Sequence, residues 1–196
     1  MKRPLDVFFS SIGLIVLLPF FAVVATLIKM DSPGPIFFVQ RRVGRNFKPF
    51  NLYKFRTMVI DAPKKGLPVT AGGDPRITRI GRYLRKSKVD ELPQLINVLK
   101  GDMSLVGPRP EVSRYVEKYR KDYGEILAVR PGITDISSLK YRNEEEVLRD
   151  KKNPEEYYIR TLLPEKINLA KEYMSNASLI YDLKLIFRTI FKLVER

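Results

Sequence analysis

The sequence predicts an α+β fold, mainly helical, with an N-terminal re-entrant membrane helix, amphipathic interfacial helices and a small β-sheet. Three observations carry this expectation. The run from Val7 to Ile28, VFFSSIGLIVLLPFFAVVATLI, holds 22 residues without a charge. Most later apolar residues recur at three- and four-residue spacing, as in helices that bury one stripe. One segment, IFFVQRRVGRNFKPFNLYKFRTMVI, instead clusters aromatic and β-branched residues around a Gly-containing turn and reads as two short strands.

As straight helix the apolar run would reach about 33 Å, the thickness of a hydrocarbon core. It is longer than a signal-peptide core and lacks a small-x-small pattern ahead of Lys29, which disfavours cleavage. Apolarity on every face also disfavours a surface helix of a soluble domain. Lys2 and Arg3 precede the run, and Lys29, Arg41, Arg42 and Arg45 follow it, so the positive-inside bias draws both ends to the cytoplasm. A re-entrant segment satisfies both ends. Pro19, near the middle, removes one backbone hydrogen bond and is expected to bend or break the helix there. A straight spanning helix, in which proline is also tolerated, is the alternative. The expected division is residues 1–30 in the membrane and 31–196 as one compact cytoplasmic unit.

After the turn cluster DSPGP come the two strands, the second placing Lys54 and Arg56 at alternating positions and hence on one face. The Gly/Pro-rich stretch from Asp61 to Asp74 reads as a loop. ITRIGRYLRKSK is a short basic helix in which Arg82, Arg85 and Lys86 share a face. In VDELPQLINVLKG, Leu92, Leu95, Ile96 and Leu99 keep helical spacing up to the stop signal Lys100-Gly101, and Pro93 is tolerated because it falls in the first turn. EVSRYVEKYRKDY aligns Val112, Tyr115, Val116, Tyr119 and Tyr123 on one helical side. The last segment puts Leu179, Ile180, Leu183, Ile186, Phe187, Ile190 and Val194 on one stripe and Lys184, Arg188 and Lys192 on another. Such a helix either lies on an anionic membrane surface or packs on the core.

The chain carries 36 Lys+Arg against 22 Asp+Glu, a net +14, which points to anionic partners: nucleic acid, phosphate-bearing ligands or anionic lipid. Histidine and cysteine are both absent, excluding disulfides, thiol nucleophiles, imidazole bases and the usual zinc ligands. Catalysis, if any, rests on carboxylates, hydroxyls, amines or an oxygen-bound hard cation such as Mg²⁺. Asp90 and Glu91 are adjacent at a helix start, where acidic caps are common. Neighbouring carboxylates also suit two roles in phosphoryl chemistry, one attacking phosphorus while the other holds a divalent cation. Arg109, stiffened between Pro108 and Pro110, has the planar fork that matches phosphate. Residues alone leave the cap and the catalytic reading both open.

Long ordered motifs add a resemblance. KFRTM (Lys54 to Met58), DPRITRIGRYLRKSKVDELPQLINVLKGDMSLVGPRPE (Asp74 to Glu111) and RPGIT (Arg130 to Thr134) resemble the small monotopic phosphoglycosyl transferases of the bacterial sugar transferase family. The similarity runs from Arg3-x-x-Asp6 to YDLKLIFRTI near the end. It implies an enzyme on the cytoplasmic face of the bacterial inner membrane that moves a phosphosugar from a UDP-sugar to a polyprenol phosphate, with Mg²⁺ as cofactor. It also implies a re-entrant helix bent at Pro19. By the same resemblance Asp90 is the nucleophile that expels UMP and Glu91 holds the metal. Lys54, Arg56, Arg85, Pro108 and Arg109 belong to the substrate site, and Arg130, Thr134, Arg142 and Asn143 fall in the stretch associated with the nucleotide end. Relatives that dimerise leave room for a homodimer, and no nucleic-acid partner is implied.

The chain departs from the family pattern at Leu18, where Ser commonly precedes the proline, and at Asp135 and Tyr141, where Gly is common. Glu155 is the only match to an acidic position ahead of a Tyr-Tyr pair, next to an inserted-looking stretch, LLPEKINLAKEYMSNA. The alternative reading is a membrane-attached basic module that binds nucleic acid or anionic lipid.

Overall fold

The computed structural model describes residues 2–62 and 69–194; the middle of the Asp61–Asp74 loop, residues 63–68, lies outside the described residues. Helix α1 (Lys2–Asp31) takes in the charged residues on both sides of the apolar run, and Pro19 does not end it. One stripe of α1, through the buried Asp6, Ser10, Val24 and Ile28, faces the body of the protein. Ile15, Val16, Leu18 and Val23 stand exposed on its other faces.

Both ends of α1 are tied to the same body. At the start, Lys2 donates to Val106 O and the Tyr173 hydroxyl, each at 2.8 Å, and pairs with Asp182 at 2.7 Å. Arg3 reaches Val98 O and Leu99 O, and Asp6 accepts from the Ser104 hydroxyl at 2.8 Å and Leu105 N at 3.1 Å. At the far end Asp31 accepts from Ile80 N at 2.9 Å. Arg56 donates to Ser32 O at 2.8 Å and to Pro33 O, in the turn just past the helix terminus.

Strands β1 (Phe37–Val43) and β2 (Pro49–Phe55) form the expected antiparallel hairpin, in register from Phe37↔Phe55 to Val43↔Pro49. Helix α2 (Arg79–Ser87) starts at Thr78, whose hydroxyl accepts from Gly81 N at 3.0 Å. Helix α3 (Gln94–Lys100) ends at Gly101, φ 88°, the left-handed stop that its sequence signals. A second sheet, not anticipated, is the short parallel pair β3 (Ser104–Val106) and β4 (Gly132–Thr134). Each strand has only three residues, too few to show an alternation.

The amphipathic stretch expected as one helix is two, α4 (Ser113–Lys118) and α5 (Arg120–Ile126), because Tyr119 leaves helical geometry at φ −123°, ψ 37°. After α6 (Ile136–Lys140), α7 (Glu144–Arg149) and α8 (Pro154–Tyr157), a π-helical turn over Tyr158–Leu162 leads into α9 (Leu163–Asn176). The stretch that looks inserted is therefore core. Leu162, Leu163, Ile167 and Ala170 pack with Tyr115, Val116, Tyr123, Ile126 and Leu148 in the largest apolar cluster.

Helix α10 (Leu179–Val194) buries Asp182 and Leu185 and leaves Ile180, Leu183, Phe187, Ile190 and Phe191 exposed. Of the two expected arrangements, the apolar stripe faces outward, and the opposite side docks on Val106 and Tyr173.

Candidate active site

Three chain segments converge on Asp90 and Glu91. The pair sits in a 3₁₀ turn, Val89–Glu91, between α2 and α3. With three residues per turn, neighbours point about 120° apart, so the two carboxylates meet different surroundings. Lys88 enters the turn in the left-handed region, φ 59°, and its carbonyl accepts from Glu91 N at 3.1 Å.

Lys54, near the end of β2, donates to Glu91 Oε1 at 2.7 Å. Arg109 arrives from β3 through Gly107 and Pro108. A Cβ on Gly132 would lie 2.0 Å from Gly107 N, so the two strand exits touch backbone to backbone and only glycine fits. Pro108 O accepts from Gly132 N at 2.9 Å, which fixes the exit. From there Arg109 forks onto Glu91, Nη2 to Oε1 at 2.7 Å and Nη1 to Oε2 at 3.4 Å, with Nη1 also 3.2 Å from the Ser138 hydroxyl. Asp135 N-caps α6 by accepting from Ser138 N at 2.9 Å, so this departure from the family pattern builds the helix that presents Ser138.

The two carboxyls are driven apart. Burial pushes Asp90 above the usual Asp range, outweighing the pull of Lys54, Arg85 and Lys88, and the Glu91 charge adds to the rise. Burial alone would raise Glu91 too, but Arg109 and Lys54 together hold it well below the usual range. Glu91 in turn holds Arg109 firmly charged. Asp90 is 6% exposed, and its Oδ1 is buried without a hydrogen-bond partner among the described residues. Most buried polar atoms are satisfied, so an orphaned carboxylate oxygen between cations marks a place for chemistry.

The other candidate residues divide. Arg85 lies within the field of Asp90, donates to Glu145 Oε1 at 2.8 Å and reaches the Thr57 hydroxyl at 3.3 Å. Gly81 makes that approach possible, because a Cβ there would lie 2.1 Å from Thr57 O. Arg56 does not join Lys54 at the carboxylates: β2 ends at Phe55, the alternation lapses, and the guanidinium is spent on the end of α1. Arg130 donates to Gly101 O at 2.7 Å, at the end of α3, and the Thr134 hydroxyl meets that of Thr189 on α10. Both therefore make scaffold contacts. Arg142 is half-buried in the turn between α6 and α7. Tyr141 bonds Glu165, while Glu155 pairs with Arg114 at 2.8 Å and accepts from the Tyr115 hydroxyl at 3.3 Å.

Sequence reasoning missed Ser138, Glu145 and Lys88. A serine run and an acidic helix start carry no spacing signal, and Lys88 looks like one more member of a basic helix. Among the described residues no three acidic side chains gather as a metal cage. Mg²⁺, however, is commonly held by one or two carboxylates with phosphates completing its shell, and the adjacent pair with one orphaned oxygen fits that donor set.

Fold and site define a small, mainly helical protein with a long apolar helix and a polar centre in which two adjacent carboxylates meet Lys54 and Arg109. The chain belongs to the bacterial sugar transferase family, whose model matches residues 1–196. It is 51% identical over 121 residues, 62% of the chain and 68% of the relative, to a putative undecaprenyl-phosphate N-acetylgalactosaminyl 1-phosphate transferase of Bacillus subtilis. Over its whole length it is 38% identical to the exopolysaccharide production protein PSS of Rhizobium leguminosarum bv. phaseoli, covering 96% of that protein. Over 98% of its length it is 35% identical to the UDP-glucose:undecaprenyl-phosphate glucose-1-phosphate transferase of Escherichia coli, of which it spans 40%. An N-acetylgalactosaminephosphotransferase of Aeromonas hydrophila is likewise spanned over only 42% of its length.

Proposed function

We propose that the chain transfers a sugar 1-phosphate from a UDP-sugar to undecaprenyl phosphate, opening the membrane stage of polysaccharide or glycoprotein synthesis. The names of the relatives support the two substrate classes. The observation that carries the chemistry is the buried, unpartnered Oδ1 of Asp90 beside a Glu91 kept ionised by Lys54 and Arg109.

In this reading the Asp90 carboxylate attacks the β-phosphorus of the donor. The bond from that phosphorus to the bridging oxygen breaks, UMP leaves with the electron pair, and a phosphosugar remains on Asp90. An oxygen of undecaprenyl phosphate then attacks the same phosphorus, releasing Asp90 and giving an undecaprenyl diphosphate sugar. Arg109, Lys54 and Arg85 neutralise the transferring phosphates, where preorganised charge is worth most. Glu91 would hold Mg²⁺, which when bound offsets charge on the diphosphate oxygens.

The acceptor is a lipid, so the site belongs at a membrane. Because Lys2, Arg3 and Asp6 at one end of α1 and Asp31 at the other hold the same body, the geometry favours re-entry over crossing. The outward stripe of α10 with Lys184, Arg188 and Lys192 suits the anionic cytoplasmic surface.

The test is nucleotide release by purified protein in detergent with Mg²⁺, undecaprenyl phosphate and a panel of UDP-sugars. UMP formed with one sugar, and none from Asp90→Asn, is the expected result. UDP as the product would refute phosphosugar transfer.

A further inference from the structure

Four cations act on the carboxylate pair: Lys54, Arg85, Lys88 and Arg109. Three of them are engaged. Lys54 and Arg109 hold Glu91, and Arg85 is paired with Glu145. Lys88 makes neither a hydrogen bond nor an ion pair through its ammonium with any described residue, although it lies in the field of Glu91, Arg109, Asp90 and Lys54. Burial lowers its pKa, as expected of a cation pushed into the site without a direct partner.

Its backbone adds an independent observation. Lys88 is the C-cap of α2 at φ 59°, ψ 14°, a place where glycine is the default and a long side chain strains the chain. A turn serving only to join α2 to the 3₁₀ segment would be easier to make with glycine or asparagine. The strained lysine therefore places an unpaired donor two residues from Asp90.

We propose that Lys88 is a substrate-binding residue of this site, its ammonium contacting a phosphate oxygen of the bound donor or acceptor. The inference rests on the transferase reading in naming those substrates. Asp90 and Glu91 supply negative charge, and Lys54 and Arg109 are already shared with Glu91, so an incoming phosphate needs at least one donor not committed to a carboxylate. Lys88 fills that role. It sits at the turn that carries the nucleophile, so the contact also registers the phosphate against Asp90.

The left-handed backbone makes the test clean. Lys88→Gly removes the ammonium while relieving the strain, and Lys88→Asn does so with a side chain that tolerates this conformation. Both variants are expected to fold with thermal midpoints equal to or above that of the unmodified protein. Losing a charge-assisted contact should raise one Michaelis constant by about 10- to 100-fold. A rise confined to the UDP-sugar assigns the donor phosphates, a rise confined to undecaprenyl phosphate assigns the acceptor, and Lys88→Arg should recover part of the loss. Both constants within twofold of the unmodified protein would overturn the proposal. If no donor supports transfer by the unmodified protein, the failure lies with the transferase reading. Calorimetric binding of inorganic pyrophosphate then decides for Lys88: weaker binding by Lys88→Gly supports the contact, and equal binding overturns it.

Discussion

Replacing Asp90 by Asn should make the protein more stable while abolishing its chemistry. A carboxylate with a buried, unpartnered oxygen sacrifices hydration that the fold does not return. Leaving such a group unsatisfied costs about 1–3 kcal/mol. For a chain of this length each kcal/mol moves the thermal midpoint by about 2–4 °C, so the variant should melt about 2–12 °C higher at neutral pH. The folded-state pKa of Asp90 lies above its unfolded value, so its favourable contribution is present below the unfolded pKa and is lost as pH rises through the folded one. Below about pH 4 both proteins carry a neutral group there and the difference should vanish. It should open as pH rises above the unfolded pKa and reach its full size once pH has passed the raised folded one. The assay is thermal unfolding in detergent with EDTA, followed by circular dichroism from pH 3.5 to about 8. A variant that melts below the unmodified protein at pH 7, or a gap that does not change with pH, would refute the argument.

Three further outcomes follow from particular contacts. Arg109→Lys keeps the charge but loses the fork onto Glu91 and the contact with Ser138, and kcat/KM in the nucleotide-release assay should fall by about 10- to 100-fold. Arg56→Met strips donors from the carbonyls at the end of α1 and should cost about 2–4 kcal/mol in denaturant unfolding, whereas Lys54→Met should act on turnover first. Gly132→Ala forces a methyl group against Gly107 N, so the variant should lose at least about 3 kcal/mol, or fail to accumulate as soluble micelle-bound protein, with both strand exits displaced.

Much of the helical layout was legible because its signals are local. The uncharged run, the Gly101 stop and the hairpin of aromatic strands each depend on a few neighbouring residues. What escaped depends on distant partners. The break at Tyr119 has no proline or glycine to announce it; its hydroxyl bonds Ile159 O, so packing on the π-helical segment accompanies the kink. Residues 162–177 look inserted against a family pattern, yet Leu162 and Leu163 are buried because α4 and α5 close over them. Within the site, strand alternation put Arg56 beside Lys54 but could not show that β2 stops at Phe55. The motifs marked Arg130 and Thr134, but not that Arg130 would cap α3 and Thr134 meet α10.

The opposite fates of Asp90 and Glu91 follow from one residue of offset in a tight turn. Glu91 faces Lys54 and Arg109, which come from separate sheets, and it ties those sheets together through its charge. Asp90, turned about a third of a revolution away, meets more burial than compensation and keeps one oxygen without a hydrogen bond among the described residues. Had Lys54 or Arg109 bonded Asp90 as directly as they bond Glu91, the Asp90 oxygen would be neutralised and not left open for an electrophile. Concentrating the cations on Glu91 leaves Asp90 under-solvated, the state in which a carboxylate gains most from the arrival of an electrophile flanked by positive charge. The stability lost at Asp90 and the reactivity proposed for it thus have a single cause. A substitution elsewhere that gave Asp90 Oδ1 a hydrogen-bond donor should raise stability and lower turnover together.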